Sequence, residues 1–292
     1  MPLKKDIWRI GAVRAPAAEI LRSGLEGREI TWLCDMPPLT FLADPFGVWR
    51  DEKLYVFAEA YDYRDRHGVI EVLTFDAALR PLDRREVLRE DWHLSYPFIL
   101  EHKGETYMMP EGFRSGCVSL YRAAEFPYRW EFVRRITLDQ APIDATPVFH
   151  NGMWWMFYTP ATTREAKVSA LHVAYATALD GFWTPHPKNP VQIDASCSRP
   201  GGTPIVSAGA LIIPMQDCRH TYGGAMRPLR VTRLTTTEFE ATPGPVLTAP
   251  NAQGFHTISG VGALTLIDTK QFHLSAASLA LDVRHLLRKA RG

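Results

Sequence analysis

Residues 41–59 read Phe-Leu-Ala-Asp-Pro-Phe-Gly-Val-Trp-Arg-Asp-Glu-Lys-Leu-Tyr-Val-Phe-Ala-Glu. In this stretch an Asp-Pro pair opens a short apolar run, a polar turn follows, and an aromatic run ends on a carboxylate. Because proline cannot donate to a sheet ladder, we expect Pro45 at the first residue of a strand. Leu-Tyr-Val-Phe is typical of a buried second strand. The stretch therefore predicts an antiparallel hairpin whose ends place Asp44 and Glu59 at one sheet edge.

The same hairpin pattern recurs four more times along the chain. The copies begin near Tyr96, Asp144, Arg199 and His256, and their second strands end at Glu111, Thr159, Gln216 and Thr269, seven residues after each turn residue. The prolines at 45, 97, 147 and 200 are 52, 50 and 53 residues apart. A repeat of about 50 residues built from short strands is typical of a propeller with one sheet per repeat. Five copies predict an all-β, five-bladed β-propeller.

The repeat predicts a single domain over residues 1–292. The blades are expected at about 41–90, 91–140, 141–195, 196–250 and 251–275. The last copy is short of strands, so a strand at 6–12 is expected to pair into it, because an unpaired sheet edge is a liability. A short helix is predicted from Pro16 to Leu25, ended by Gly27, and an amphipathic helix is predicted over 276–291.

Composition excludes several classes of protein. Of 292 residues, 46% are hydrophobic and 22% charged, and the formal net charge is +1, so binding to nucleic acid is not predicted. No stretch approaches the roughly 20 apolar residues of a membrane span, and no signal peptide is visible. The four cysteines are widely spaced and are expected to be free thiols, which favours a cytoplasmic location. No phosphate loop, dinucleotide fingerprint or metal motif is present, so no cofactor and no metal are predicted.

Polar residues from all five repeats are expected to meet at one mouth of the channel. In a propeller the first strand of each blade lines the channel, and each second strand returns to the same face. The converging side chains are Asp44, Glu59, Tyr96, Glu111, Asp144, Thr146, Thr159, Arg199, Gln216, Asp217, His256 and Thr269, and Tyr222 is expected to help Arg199 bind the substrate. A set rich in carboxylates at such a point favours chemistry over strand capping.

The motifs resemble two groups of known proteins. Ala-Asp-Pro-Phe-Gly (43–47) and Ile-Asp-Ala-Thr-Pro (143–147) look like the carboxylate motifs of five-bladed furanosidase-type glycoside hydrolases, the arabinanases, β-xylosidases and invertases. The ordered set from 40 to 225 is more similar to the N-terminal propeller domain of glucosamine inositolphosphorylceramide transferases and their bacterial stand-alone relatives. Further matching pieces are Phe-Ala-Glu (57–59), Met-Pro-Glu (109–111) and Ser-Arg-Pro-Gly-Gly (198–202).

The resemblance to hydrolases implies roles for three carboxylates. Asp44 would be the base, or the nucleophile in a retaining enzyme, and Asp144 would tune the acid. The hydrolases usually take their acid from a Glu in a later blade, whereas this chain has Arg199 in blade 4. Glu111 or Asp217 would then be the acid, and the predicted catalytic set is Asp44, Glu111 and Asp144.

Arg199 and the remaining polar residues suggest the substrate. A guanidinium in a carboxylate-lined funnel either binds an anionic substrate group or forms an ion pair with Asp144 or Glu111. The sequence therefore favours an enzyme that cleaves or transfers a glycosyl group on an anionic saccharide. Two alternatives stay open: a non-catalytic glycan-binding module of a polysaccharide or glycolipid pathway, and a scaffold that binds a protein partner. The oligomeric state is not predicted.

Overall fold

The computed structural model describes residues 4–207, 209–274 and 278–282. Five antiparallel sheets form a five-bladed propeller, which confirms the predicted fold class. The first part of the chain forms β1 (Lys5–Val13), α1 (Ala17–Ser23), β2 (Ile30–Trp32), β3 (Thr40–Arg50), β4 (Lys53–Asp62), β5 (His67–Phe75), β6 (Pro81–Leu88), β7 (Ser95–His102), β8 (Glu105–Glu111), β9 (Val118–Glu125) and β10 (Arg129–Ile136).

The second part of the chain continues the same architecture. It forms β11 (Pro142–His150), β12 (Met153–Pro160), α2 (Ala166–Ser169), β13 (Ala170–Ala176), β14 (Thr184–Pro185), β15 (Gln192–Ile193), β16 (Arg199–Pro200), β17 (Ile205–Ser207), β18 (Ala210–Asp217), β19 (Ala225–Leu234), β20 (Phe239–Pro243), β21 (Ile258–Val261) and β22 (Leu264–His273). Strands β3–β6 form blade 1, β7–β10 blade 2, β11–β15 blade 3 and β16–β20 blade 4. Blade 5 has the strand order β2-β1-β22-β21, so the N-terminal strand pairs with the C-terminal one.

Tight two-residue turns fix the register of the inner hairpins. In blades 1 to 3 both turn residues have positive φ, at Asp51-Glu52, Lys103-Gly104 and Asn151-Gly152. Such turns match the twist of antiparallel strands. They place the equivalent residues Glu59, Glu111 and Thr159 each seven residues after the second turn residue, although the strands themselves end at Asp62, Glu111 and Pro160.

A repeated bulge turns three side chains toward the axis. The strand register shifts between Ala43 and Phe46, and equivalent shifts occur in β7 and β11. The residues inside these bulges, Asp44, Tyr96 and Asp144, all have left-handed φ, at 51°, 43° and 49°. Pro45 therefore lies within a strand, at the extra residue of the bulge, and not at a strand start as predicted. A bulge tolerates proline because its extra residue is left out of the ladder.

Blade 4 replaces the bulge with two glycines. Between β16 and β17 the Gly201 N–H still donates to the Pro214 carbonyl at 2.9 Å, but Gly202 leaves the ladder, and both glycines pair with blade 5 through Ile258. Gly202 has φ 139°, and a Cβ there would lie 1.9 Å from the Ile258 carbonyl oxygen. Only glycine allows this close approach of two inner strands.

The flanking elements differ from prediction in detail. Helix α1 ends at Gly24, whose N–H donates to the Ile20 carbonyl at 2.8 Å, and not at Gly27. Of the helix predicted over 276–291, residues 278–282 are helical and the others lie outside the described residues. Three cysteines are buried and Cys34 is half-buried, all as free thiols. Within the described ranges no helix has the length and apolar character needed to cross a membrane.

Candidate functional site

The predicted residues gather where the inner strands begin and the second strands end. Cross-blade hydrogen bonds and ion pairs link Asp44, Tyr96, Asp144, Thr146, Arg199, Gln216, Tyr222 and His256 into one network. Glu59 and Glu111 lie close enough to this network that the charges of Asp44 and Asp144 raise their pKa values. We call these ten residues the axial cluster. All are buried except Tyr222, the outermost member.

Asp44 is held from blades 2 and 5. Its carboxylate accepts hydrogen bonds from the Tyr96 backbone N–H at 3.2 Å and from the Thr257 hydroxyl at 3.1 Å. The Nε2 atom of His256 lies 3.5 Å from Oδ1. Burial raises the pKa of Asp44 to about 6; His256 opposes this rise and the Asp268 carboxylate adds to it. Asp44 is thus a carboxylate whose charge is costly and which titrates just below neutral pH.

Asp268 anchors blade 5 beneath Asp44 and was missed by the sequence reasoning. Its carboxylate accepts the backbone N–H groups of Asp44, His256 and Thr257 at 2.9, 3.2 and 3.0 Å, and lies 2.7 Å from His256 Nδ1. The Trp8 ring stacks on the His256 ring at 3.7 Å. Burial alone would lower the pKa of His256, but the Asp268 and Asp44 carboxylates outweigh it and raise that pKa. The equivalent second-strand residues of blades 1 to 3 are the apolar Phe57, Met109 and Phe157.

Arg199 neutralises Asp144. Its Nε donates to Asp144 Oδ2 at 2.7 Å, and the Gln216 amide donates to the same oxygen at 2.8 Å. The guanidinium also donates to the Lys167 carbonyl at 3.1 Å and lies over the Tyr222 ring, 4.7 Å from its centroid. Of the two possibilities left open by the sequence, the structure contains the ion pair, with side chains only 10% and 4% exposed.

Tyr96 and Thr146 form the floor of the cluster. The Tyr96 hydroxyl accepts the Gly202 N–H at 2.6 Å and is hydrogen bonded to Thr146 Oγ1 at 2.9 Å. Thr146 in turn donates to the Asp144 carbonyl at 3.0 Å. These contacts join blades 2, 3 and 4 beneath the carboxylates, and they leave Tyr96 and Thr146 wholly buried.

Glu111 can hold a proton near neutral pH. Burial, together with repulsion from Asp144, raises the pKa of Glu111 to about 7. The Phe113 backbone N–H, which donates to Glu111 at 3.1 Å, and the charge of Arg199 oppose this rise. Glu111 therefore has the environment of a general acid.

Glu59 is still more strongly biased toward its neutral form. Burial first, then the charges of Asp44 and Glu111, raise its pKa well above the ordinary value. His93 Nε2 lies 3.3 Å from its carboxylate, and burial lowers the pKa of His93 to about 4. Burial thus favours the neutral form of both groups, so this contact is not a stable ion pair.

Asp217 lies outside the axial cluster. It follows Gln216 directly on β18, so its side chain points to the opposite face of the sheet. Its carboxylate forms an ion pair with Arg219 at 2.6 Å. Burial alone would raise the pKa of Asp217, but the hydrogen bonds from Arg219 lower it, so this carboxyl is ionised at neutral pH.

Blade 5 contributes Lys270 to the axis, where the sequence predicted Thr269. Lys270 is wholly buried, and its Nζ donates to the Tyr222 carbonyl at 2.6 Å and lies 3.4 Å from the Asp6 carboxylate. Counted from the first residue of the second strand, Lys270 is equivalent to Glu59, Glu111, Thr159 and Gln216. The hairpin glycine, Gly262, is the first turn residue in blade 5 but the second in blades 2 to 4, which displaced the count by one. The glycine alone does not reveal this offset of one residue, which becomes visible only in the strand pairing.

One group within the described residues has the composition of a metal site. The ligand atoms of Asp44, His256 and Asp268 all lie within 4.8 Å of one another. Both oxygens of Asp268 accept backbone N–H groups, and those of Asp44 accept from Tyr96 and Thr257. A cation would compete with donors already in place, so these residues fit a hydrogen-bonded cluster better than a metal centre.

Two solved structures with the same fold are glycoside hydrolases. A family 117 glycoside hydrolase of the marine bacterium Zobellia galactanivorans superposes with a TM-score of 0.59 at 13% identity, over 93% of this chain and 92% of that one. A GH43 β-1,3-galactosidase gives 0.56 at 10% identity, over 75% of this chain and 83% of that one. At such low identity these likenesses establish the fold alone.

The relatives found by sequence have a higher identity to this chain than these solved structures. Glucosamine inositolphosphorylceramide transferase 1 of Oryza sativa subsp. indica is 34% identical over 216 residues, which cover 70% of this chain and 28% of that protein. The protein of the same name from Arabidopsis thaliana is 33% identical over 230 residues, which cover 77% and 30%. The chain thus spans less than a third of the curated relatives that it matches. A family profile described as "Glucosamine inositolphosphorylceramide transferase 1, N-terminal" matches residues 34–278, and the chain belongs to this family.

Proposed function

We propose that the axial cluster cleaves or transfers a glycosyl group, with Glu111 as general acid and Asp44 as base or nucleophile. The observation that supports this most directly is the unequal environment of the axial carboxyls. Asp144 is paired with a buried guanidinium, whereas burial raises the pKa of Glu111 to about 7 and that of Asp44 to about 6. Carboxyl groups with divided protonation at one site are what glycosidic bond chemistry requires.

In the proposed reaction Glu111 donates a proton and Asp44 accepts one. Glu111 gives its proton to the oxygen of the leaving sugar as the bond to the anomeric carbon breaks. Asp44 removes a proton from the attacking water, or from an acceptor sugar hydroxyl in a transfer reaction, as the new bond to that carbon forms. In a retaining reaction Asp44 would itself form the bond. Asp144, fixed by Arg199 and Gln216, supplies the carboxylate whose charge helps to raise the pKa of Glu111.

Asp217 is a weaker candidate for the acid. Its lowered pKa leaves no proton to donate at neutral pH, and its side chain points away from the cluster. We therefore propose Glu111 for this role, and a place of action in the cytoplasm stays a prediction.

Turnover on a panel of glycans, measured by release of reducing sugar, tests the proposal. Asp44→Asn and Glu111→Gln are each expected to lower kcat by 100-fold or more, since a positioned acid or base contributes about 10²–10⁴-fold. Wild-type activity should be highest between pH 6 and 7, the two pKa values of the pair. Asp217→Asn is the matched control, and full activity of Glu111→Gln would contradict the assignment.

The second candidate is a glycan-binding module without turnover. It is favoured by blade 4, where Arg199 and Gln216 hold Asp144 and where none of the described residues brings a carboxyl to the axis. In this case glycans bind the wild-type protein, no product forms from any of them, and Asp44→Asn leaves the affinity within about twofold.

A further inference from the structure

A cavity that shares no residue with the axial cluster lies on the outer strands of blade 2. Its volume is about 410 Å³, and we call it the outer cleft. Three aromatic rings, a hydroxyl, a carboxylate and a guanidinium line it, from Trp92, Tyr121, Phe132, Ser119, Glu90 and Arg135. Two of these residues belong to the connection between β6 and β7, and the other four belong to β9 and β10.

The pairing of β9 with β10 brings four of these side chains to one face of the sheet. Phe132 pairs with Tyr121, and Arg135 pairs with Ser119. Cross-strand partners share a face, and so do residues two apart on one strand. Phe132 and Arg135 are three apart and would point to opposite faces of a regular strand, but the register shift between Phe132 and Arg134 brings them together. The sequence spacing alone therefore does not reveal the cleft.

The aromatic rings of the outer cleft are held in place. Tyr121 is buried, and its hydroxyl donates to the Glu90 carboxylate. Phe132 packs edge-on against the Tyr121 ring at 5.9 Å between centroids, yet it remains 54% exposed. The Trp92 indole lies against Gly112, where an added Cβ would be 2.9 Å from its Nε1 atom. Rings fixed in this way offer apolar faces to a ligand at little cost in conformational entropy.

The polar groups of the outer cleft have opposite charges. Arg135 is exposed, and neither it nor Glu90 forms an ion pair within the described ranges. One carboxylate and one guanidinium give the cleft no net charge, which disfavours both a free anion and a free cation. The carboxylate accepts a hydrogen bond and the guanidinium donates one, whereas a hydroxyl does both. Neighbouring hydroxyls of a sugar match this pair, and the C–H groups of a sugar ring match the aromatic faces.

We propose that the outer cleft is a second carbohydrate site, which binds uncharged sugar units of a glycan. The exposed Phe132 ring and the Trp92 indole contact the apolar faces of the sugar. Glu90 accepts a hydrogen bond from one hydroxyl, and Arg135 donates a hydrogen bond to another. This binding needs no turnover, so it goes beyond the proposed function and does not depend on it.

Trp92 connects the outer cleft to the axial cluster. It directly precedes His93, whose Nε2 lies 3.3 Å from the Glu59 carboxylate, and it packs against Gly112, which directly follows Glu111. The same indole thus lines the cleft and supports the turn after the proposed acid. A spectroscopic signal from Trp92 therefore reports binding at either place, and variants of the cleft are needed to distinguish the two.

Fluorine NMR of protein labelled with 5-fluorotryptophan tests the proposal. The chain has eight tryptophans, and the variant Trp92→Phe identifies the Trp92 resonance by its loss. The probes are cellotetraose, mannotetraose and xylotetraose, each added up to about 10 mM, which nearly saturates a site with a Kd of about 1 mM. We expect at least one probe to shift the Trp92 resonance in a saturable way. If none of them does, the proposal is wrong.

Phe132→Leu distinguishes the outer cleft from the axial cluster. It should weaken the binding reported by Trp92 about threefold to tenfold, because it removes an aromatic contact. Phe149→Leu is the matched control, since Phe149 is a 53% exposed ring of blade 3 whose loss should leave Kd unchanged. Asp44→Asn, in the axial cluster, should also leave this Kd unchanged. If Asp44→Asn abolishes the shift, or if the two phenylalanine variants have equal effects, the ligand lies elsewhere and the proposal is overturned.

The polar contacts have their own variants and a competing ligand. Arg135→Gln should weaken the same probe about threefold or more, since it removes a charged donor, and Arg230→Gln, at an exposed cation of blade 4, should not. Tetramethylammonium is the other ligand that aromatic rings with a carboxylate can bind. Its saturable binding at Trp92, without any response to the sugars, would assign an ammonium site and overturn the proposal. Because Trp92 reports binding without turnover, an inactive enzyme leaves the outer cleft intact, and full activity without a Trp92 response refutes the cleft alone.

Discussion

Replacing Arg199 by Gln should destabilise the propeller strongly, because it leaves Asp144 as a buried carboxylate without its cation. The two side chains are 10% and 4% exposed and their atoms are 2.7 Å apart. Removal of one partner from such a pair costs about 3–5 kcal/mol. At about 2 °C per kcal/mol for a chain of this size, Tm should fall by roughly 6–10 °C.

A double-mutant cycle separates the ion pair from the other contacts of Arg199. The four proteins are wild type, Arg199→Gln, Asp144→Asn and the double variant, each unfolded in urea at pH 7 and followed by tryptophan fluorescence. The lost contacts to Lys167 and Tyr222 cancel in the cycle. The double variant should therefore lose less stability than the sum of the single variants, by about 1–3 kcal/mol.

An exposed pair of similar geometry provides the control. Arg233 lies 2.5 Å from Glu238, with side chains 52% and 40% exposed, so Arg233→Gln should cost no more than about 1 kcal/mol. If Arg199→Gln costs no more than this control, Asp144 does not depend on the guanidinium and the reasoning is refuted.

Three further predictions concern the floor of the cluster and its protons. Tyr96→Phe should cost about 1–3 kcal/mol in urea unfolding, because it leaves the buried Gly202 N–H without its acceptor. Gly202→Ala should prevent soluble expression, since its Cβ would lie 1.9 Å from the Ile258 carbonyl oxygen; Gly104→Ala, in open space, should express normally. The folded-state pKa of Glu111, raised from 4.5 to about 7, makes stability fall by up to about 3 kcal/mol as pH rises from 4.5 through 7. Urea unfolding from pH 4.5 to 8 should show this fall in the wild type and a smaller one in Glu111→Gln; equal slopes would contradict it.

The fold was predictable because each inner hairpin has a local signal. The turn pairs need residues that tolerate positive φ, and glycine or asparagine supplies them at Lys103-Gly104 and Asn151-Gly152. The aromatic runs that follow are long enough to define strands. These local signals were therefore enough to predict the number of sheets.

The exact residue at which each repeat begins was harder to predict. Proline was used as the marker, yet Pro147 pairs with Met156 beyond the bulge of blade 3, and Ala145 occupies the place of Pro45. The feature shared by blades 1 to 3 is the left-handed residue, which in blade 1 precedes proline and in blade 3 does not. Since a shift by one residue reverses the face of a side chain, Lys270 was missed in the same way.

Contacts between side chains of different blades could not be predicted from the sequence. Arg199 and Asp144 are 55 residues apart, and whether they meet depends on the rotation between two sheets. Asp268 was similarly hidden, because its partners are backbone N–H groups of two different blades.

The distribution of cations around the axis accounts for the proposed division of roles. The axial Arg is supplied by blade 4 and lies against Asp144, and the axial His is supplied by blade 5 and lies between Asp268 and Asp44. Glu59 and Glu111 come from the blades that bring no cation into direct contact with them among the described residues; their nearest partners are His93, which burial keeps neutral, and a backbone N–H. Buried carboxyls without a paired cation hold their protons. Because Arg199 of blade 4 forms its ion pair with Asp144, Glu111 on blade 2 has no such partner in the described part of the chain, and we expect the acid there. An arginine at blade 4 therefore does not exclude proton donation, which we propose comes from Glu111 on blade 2.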